Sequence, residues 1–305
     1  MNDTTTRQAI VVGVDGSDSA WCAARWAARE AERHHVPLEL VHVCYVPPVL
    51  GRYPAPLSER YDEALVESGQ AWLDLAAAEV REEAPGVEVD TSIHMGPVAG
   101  TLIEHSRGAR LMVLGSRGLG GFAGLLIGSV GIAFAAHGAC PVVIVPHGEP
   151  EHEIPSGGPV LVGIDGSPVS DPAIGFAFEA ASERGVPLVA VHVWNRDTVD
   201  ADWPELSIGA SHEEEASRER MVFAERLAGW REKYPDVAVE PRVLRGRPAD
   251  VLLAEASAER GNAQLIVVGS RGRGPLTGLG LGSVSQAVLH HSRVPVAIVR
   301  PGTGD

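Results

Sequence analysis

Two rhythms of hydrophobic residues alternate along the chain. Short unbroken apolar runs at Ile10–Val14, Leu38–Val43, Leu111–Leu114 and Val142–Val145 read as strands covered on both faces. A further strand, Val87–His94, alternates apolar with polar. Between them lie helical spacings from about Ser19 to His34, Ser58 to Glu83 and Val98 to Ser106, and another after Ser129. The Pro-rich stretch YVPPVLGRYPAP ahead of the long helix reads as a loop. Strands joined by helical crossovers predict a five-stranded parallel, doubly wound sheet.

The pattern then repeats. VVGVDGS at 11–17 returns as LVGIDGS at 161–167, and VPLELVHV at 36–43 as VPLVAVHV at 186–193, both 150 positions on. VLGSRG at 113–118 returns as VVGSRG at 267–272, 154 positions on, so the second copy carries a small insertion. CPVVIVP at 140–146 returns as VPVAIVR at 294–300. Such a period is far longer than the roughly 20–50 residues of a solenoid unit. The expectation is a duplicated α/β domain, residues 1–148 and 157–305, joined by a polar linker at 149–156 inside HGEPEHEIPSGG.

Composition narrows the chemistry. The 305 residues are 45% hydrophobic and carry a formal charge of -15, a globular balance that repels phosphate backbones and anionic lipid. Nucleic acid and membrane are therefore not expected partners. Cys22, Cys44 and Cys140 are widely spaced, without a CxxC, and the start MNDTTTRQAI has no signal-peptide pattern. Both point to a reducing, cytoplasmic setting. Lys233 is the sole lysine, at the exposed end of a helix, which excludes lysine Schiff-base enzymes and Walker-type ATPases. The stretch GFAGLLIGSVGIAFAAHGAC resembles a membrane span in length, yet its counterpart carries Gln286, His290, His291 and Arg293. It reads instead as a Gly-rich loop and a buried helix.

Ligands of open parallel sheets gather at the carboxyl ends of strands. Asp15 and Asp165 end the first strand of each copy. After the fourth strand come GSRGLGGFAGLLIGS at 115–129 and GSRGRGPLTGLGLGS at 269–283. Gly115, Gly118 and Gly128 are spaced G-x2-G-x9-G-S, and Gly269, Gly272 and Gly282 repeat that spacing. Glycines let successive N–H groups turn inward as an anion nest, and a helix start adds free N–H groups and a positive dipole end. Ser129 and Ser283 are expected as the caps of that helix, with Arg117 and Arg271 as local cations. The bland alternatives are that the glycines only make turns and that the Asp caps its own turn. His42 and His192 read as hydrogen-bonded structural histidines, the acidic run at 212–220 as a solvated helix face, and Trp72 and Trp230 as aromatics at similar places in the long helices.

On these residues the chain resembles a tandem member of the universal stress protein family, in the subgroup whose ATP site is marked by G-x2-G-x9-G-[ST]. The resemblance spans Ile10 to Val145 and Val160 to Arg300. It implies two Rossmann-like, adenine nucleotide alpha hydrolase-like domains, each binding one ATP, with Mg2+ accompanying it. Carried over, it sets the adenosine against Gly13, Val14 and Asp15, with the carboxylate near the ribose hydroxyls, and the backbone of Val43 against adenine. Leu114, Gly115, Ser116, Arg117 and Gly118 would wrap ribose and phosphates, and Gly128, Ser129 and Val130 the triphosphate. The second half matches with Gly163, Ile164, Asp165, Val193, Val268, Gly269, Ser270, Arg271, Gly272, Gly282, Ser283 and Val284. Two departures separate the copies, Arg273 for Leu119 and Ser285 for Gly131.

The function expected from the resemblance is a nucleotide-binding regulator of stress response or growth arrest. A slow ATPase or phosphotransferase, and a cyclic-nucleotide binder using the same pocket, stand as alternatives. The last strands, Val142–Val145 and Val296–Val299, are apolar and would be edges, which tend to be paired; the resemblance implies that they pair the halves within a chain, and a homodimer of chains is expected.

Overall fold

The computed structural model describes residues 8–46, 55–118, 127–147, 157–194, 212–257, 261–272 and 280–302. The linker 149–156 and the loop positions Leu119 and Arg273 lie outside the described residues. The chain divides into two compact units, Met1–Glu151 and His152–Asp305.

In the first unit the order is β1 (Ile10–Gly13), α1 (Asp18–His34), β2 (Leu38–Cys44), α2 (Ala55–Glu83), β3 (Val89–Met95), α3 (Val98–His105), β4 (Leu111–Gly115), α4 (Ser129–His137) and β5 (Val142–Val145). The second runs β6 (Val160–Ile164), α5 (Asp171–Arg184), β7 (Leu188–Trp194), α6 (His212–Lys233), β8 (Val239–Arg245), α7 (Pro248–Ala256), β9 (Leu265–Gly269), α8 (Ser283–His291) and β10 (Val296–Val299). Strand order is β3-β2-β1-β4-β5 in one and β8-β7-β6-β9-β10 in the other, and every pairing within a unit is parallel. Each unit is thus an α/β domain with a doubly wound, Rossmann-like sheet. The order reverses between β1 and β4, and between β6 and β9, so a crevice opens at the carboxyl ends of those strands.

The apolar runs form the core. Ile10, Val12, Leu38, Leu40, Met112, Val113 and Val143 are all fully buried, and so are their counterparts Val160, Val162, Leu188, Ala190, Ile266, Val267 and Ala297. β3 differs, since its residues are half-buried or exposed. It lies at the outer edge of its sheet with a single strand partner, which explains its alternating pattern and its later start, at Val89 rather than Val87. Duplication is visible in how helices end. His35 (φ 53°) and Gly185 (φ 62°) stop α1 and α5 in the left-handed region. Each cap N–H bonds back to two carbonyls, of Ala31 and Glu32 in one and of Ala181 and Ser182 in the other.

Two expectations need correction or trimming. Trp72 and Trp230 do not occupy similar places: 83 − 72 leaves eleven residues to the end of α2, whereas 233 − 230 leaves three in α6. Trp72 packs on Gly16, while Trp230 packs on Gly175 and stacks on Phe178 with centroids 6.2 Å apart. Lys233 Nζ lies 5.2 Å from the Trp230 ring centroid and 5.3 Å from that of Tyr234. Among the described residues of the membrane-like stretch the helix is the short α4, and no described helix is long and apolar enough to cross a membrane.

Candidate functional site

The crevice is built from four local devices, each repeated. The first is the turn after β1. Asp15 Oδ1 accepts from the Ser17 N–H at 3.1 Å and the Ser17 hydroxyl at 2.6 Å. Asp165 Oδ1 does the same with Ser167, at 2.9 and 2.7 Å. Such a turn needs a left-handed residue at its middle, supplied by Gly16 (φ 83°) and Gly166 (φ 78°). The turn reading of the Asp is therefore correct for one oxygen. The other faces the loop: a Cβ on Gly118 would stand 2.4 Å from Asp15 Oδ2, and one on Gly272 would stand 2.9 Å from Asp165 Oδ2.

The second device pins that loop at its base. Ser116 N–H donates to the Val145 carbonyl and Gly128 N–H to the Ser116 carbonyl, both at 2.8 Å. Ser270 and Gly282 repeat both bonds at the same length, with Val299 as acceptor. The loop therefore begins and ends at one point, with both side chains, Ser116 and Ser270, buried. In the first half, Arg117 N–H also donates to the buried Ser19 hydroxyl at 3.1 Å. Gly13 and Leu114 touch beneath, since a Cβ on Gly13 would come within 2.7 Å of the Leu114 side chain; Gly163 and Val268 are similarly close at 3.3 Å.

The third device is the helix start, where the structure corrects the sequence expectation. Gly128 and Gly282, not Ser129 and Ser283, are the N-caps, with extended φ, ψ near −71°, 153° and −72°, 153°. The serines are the first helical residues, and both are exposed. A glycine cap has no side chain to satisfy the first-turn N–H groups, so the positive end of α4 and α8 stays available. Val130 and Val284 follow within that first turn, half-buried. Ser285, which replaces Gly131, turns its hydroxyl away and donates to the Gly269 carbonyl at 2.6 Å. That departure therefore ties down the end of β9.

The fourth device joins the neighbouring strands. Val14 N–H donates to the Val41 carbonyl at 2.9 Å, and the His42 ring bonds through Nδ1 to the Val14 carbonyl at 2.7 Å. His192 Nδ1 likewise meets the Ile164 carbonyl at 2.8 Å. A carbonyl only accepts, so Nδ1 carries the proton in both. These histidines are structural, as expected, and they hold the backbone before Asp15 and Asp165 against Val43 and Val193. Their other sides differ. His42 lies edge-on to Trp72 with centroids 5.2 Å apart, above Gly69. His192 stacks on Phe223 and its Nε2 is 2.8 Å from Glu219 Oε2. Gly69 and Glu219 are 150 positions apart, so the copies diverge under an otherwise shared pocket.

Charge is local rather than global. Arg117 and Arg271 are exposed at the loop. In the second half burial and the nearby Arg271 guanidinium lower the Arg300 pKa. Two cations thus meet beside β10 in a chain of charge -15, and Pro146 stands at the corresponding place in the first half. At the end of β2, burial and the Asp62 carboxylate push the Cys44 thiol up. Burial pushes Cys140 up to about 12. Cys44 and Cys140 are buried, so only Cys22, half-buried on α1, should be reached by a thiol reagent in the folded protein. One thiol should titrate per folded chain and all three in denaturant; three fast thiols in the native state would contradict this packing. Ser17 and Ser19 are site-lining residues that the spacing of motifs did not single out.

Comparison with known proteins agrees with this architecture. The model of the universal stress protein family matches twice, over residues 6–146 and 158–300. A universal stress protein of Mycolicibacterium smegmatis is 44% identical over 306 residues, covering 99% of this chain and all of that one. One from Mycobacterium tuberculosis (strain ATCC 25618 / H37Rv) is 40% identical over 304 residues, covering 98% of this chain and 99% of its own. Among solved structures, a universal stress protein from Archaeoglobus fulgidus superposes with a TM-score of 0.71 at 20% identity, covering 97% of this chain and all of that chain. This likeness shows the fold. With two family matches that together span nearly the whole chain, and relatives of the same length, the chain belongs to the universal stress protein family and carries its domain twice.

Proposed function

We propose that the protein binds one ATP in each half, with Mg2+ accompanying the triphosphate, and acts as a nucleotide-dependent regulator in stress response or growth arrest. The observation that supports this most is the pairing of a turn-held carboxylate with a loop glycine, Asp15 with Gly118 and Asp165 with Gly272. A side chain at either glycine would fill the space before the carboxylate, so glycine keeps a cleft open there. In this reading the carboxylates take the ribose hydroxyls, the backbone at Val43 and Val193 takes the base, and the first-turn N–H groups of α4 and α8 take the phosphates. The last task suits a glycine-capped helix with Arg117 or Arg271 beside it.

Regulation is favoured over turnover by the same geometry. Phosphoryl transfer requires a group that orients the attacking oxygen near the terminal phosphate. The Asp15 carboxylate has one oxygen committed to Ser17, and this reading assigns its other oxygen to the sugar. The same reading expects a cytoplasmic homodimer, with a solution mass twice the 32.1 kDa of the chain. The direct test is to denature the purified, untreated protein and quantify the released nucleotide by chromatography. ATP near two per chain is the expected result. ADP instead would favour hydrolysis, and no nucleotide with no uptake of added ATP-Mg would overturn the reading.

A further inference from the structure

Helix α2 presents one stripe to the sheet, and that stripe ends in a group the fold leaves unanswered. Gly69 abuts the His42 ring, and Trp72 abuts Gly16. Asp62 lies seven residues before Gly69, two helical turns or about 10 Å along the axis and within about 20° of the same face. α2 runs back against the direction of β2, because it connects two parallel strands. Asp62 therefore sits above His42 and beside Cys44, the last residue of β2, whose thiol feels its charge. This is the rim of the crevice, next to Val43. Asp62 Oδ1 is buried there without a hydrogen-bond partner, alone in this among the buried side-chain nitrogen and oxygen atoms of the described residues.

A buried acceptor without a donor is costly, so a donor brought to it by a ligand would be stabilising. A carboxylate only accepts, so the partner must bring an N–H or O–H. Adenosine offers two kinds of donor, the ribose hydroxyls and the exocyclic amine. The hydroxyls fall to Asp15 in the reading above. We propose that Asp62 accepts a hydrogen bond from the exocyclic amine of adenine in the first half and makes that half selective for adenine over bases with a carbonyl at the same position. The inference rests on the ATP-binding reading and adds a specificity residue from outside the G-x2-G-x9-G-[ST] loop. The second half has His212 at the corresponding place, 150 positions on.

The test compares ATP with ITP, in which that amine is replaced by a carbonyl. Binding is measured by calorimetry on the full chain carrying Gly272→Val, which blocks the second half. The parent should prefer ATP roughly tenfold to hundredfold, the worth of one hydrogen bond to a charged group. Asp62→Ala should bring the ratio near one, chiefly by weakening ATP. Asp62→Asn, which keeps the shape and can turn its amide to donate to a carbonyl, should shift the ratio toward ITP. A merely structural carboxylate would weaken both nucleotides together and leave the ratio unchanged in both variants. An unchanged ratio, with ATP still bound, overturns the Asp62 assignment alone. Failure of the parent to bind either nucleotide overturns the ATP reading and this inference with it.

Discussion

Alanine at Gly118 will empty the first half while sparing the second. The added methyl would lie 2.4 Å from Asp15 Oδ2, well inside van der Waals contact. An ordinary surface carboxylate would swing away at little cost. This one has its other oxygen held by two bonds from Ser17, at 2.6 and 3.1 Å, and Ser17 in turn caps α1. Either the turn or the loop must shift, and forced overpacking of this kind costs about 1–3 kcal/mol. At about 1.4 kcal/mol per decade that is roughly a tenfold to hundredfold loss in ATP affinity, before counting the space taken from the ligand. The equivalent Gly272→Ala meets its carboxylate at 2.9 Å and should lose less. Calorimetric titration of both variants checks the order. Equal, undiminished affinity in both would mean that the cleft before the carboxylate holds no ligand.

The second large effect falls on stability. Gly115→Ala would set a methyl 2.6 Å from the carbonyl carbon of Ser19 and 2.7 Å from its oxygen. These are backbone atoms at the start of α1, which cannot rotate aside, so the end of β4 and the helix must separate. A loss of about 3 kcal/mol is expected, at the upper end of overpacking costs. At Gly269 the nearest neighbour is the Arg271 carbonyl oxygen at 3.2 Å, and Gly269→Ala should cost about 1 kcal/mol or less. The asymmetry has a local cause. Ser19 donates its place to Val169 in the second half, where a 3-10 turn, Pro168–Ser170, precedes α5. The helix therefore starts later and stands farther from the loop. Urea unfolding followed by circular dichroism should show an early transition of the first half in Gly115→Ala and a nearly unchanged curve in Gly269→Ala.

Most of the architecture could be read from the residues, for a physical reason. Strands buried on both faces must be continuously apolar, and amphipathic helices must repeat near 3.6 residues, so β1, β2, β4 and β5 declare themselves. The two loops declare themselves through glycine, because few other residues permit such an approach of backbone to carboxylate. What stayed hidden depends on tertiary direction. Ser129 has the composition of a cap, yet the extended residue before the first helical turn is Gly128. Ser285 reads as a substitution at the ligand, but its hydroxyl finds the Gly269 carbonyl. Asp62 looks like one acid among many on a long helix. Its offset of seven from Gly69, on the stripe that also carries Leu73, Ala76 and Val80, was the available signal, and only packing reveals that its oxygen is buried.

The aromatic patch at the end of α6 has a practical use. Lys233 bears the chain's sole ε-amine and sits over Trp230 and Tyr234. Apart from the α-amino group, any acylating dye therefore has a single address, within reach of an indole that can quench it. The protein accordingly comes with its own attachment point for an optical reporter on the second half, and no cysteine has to be engineered to install one.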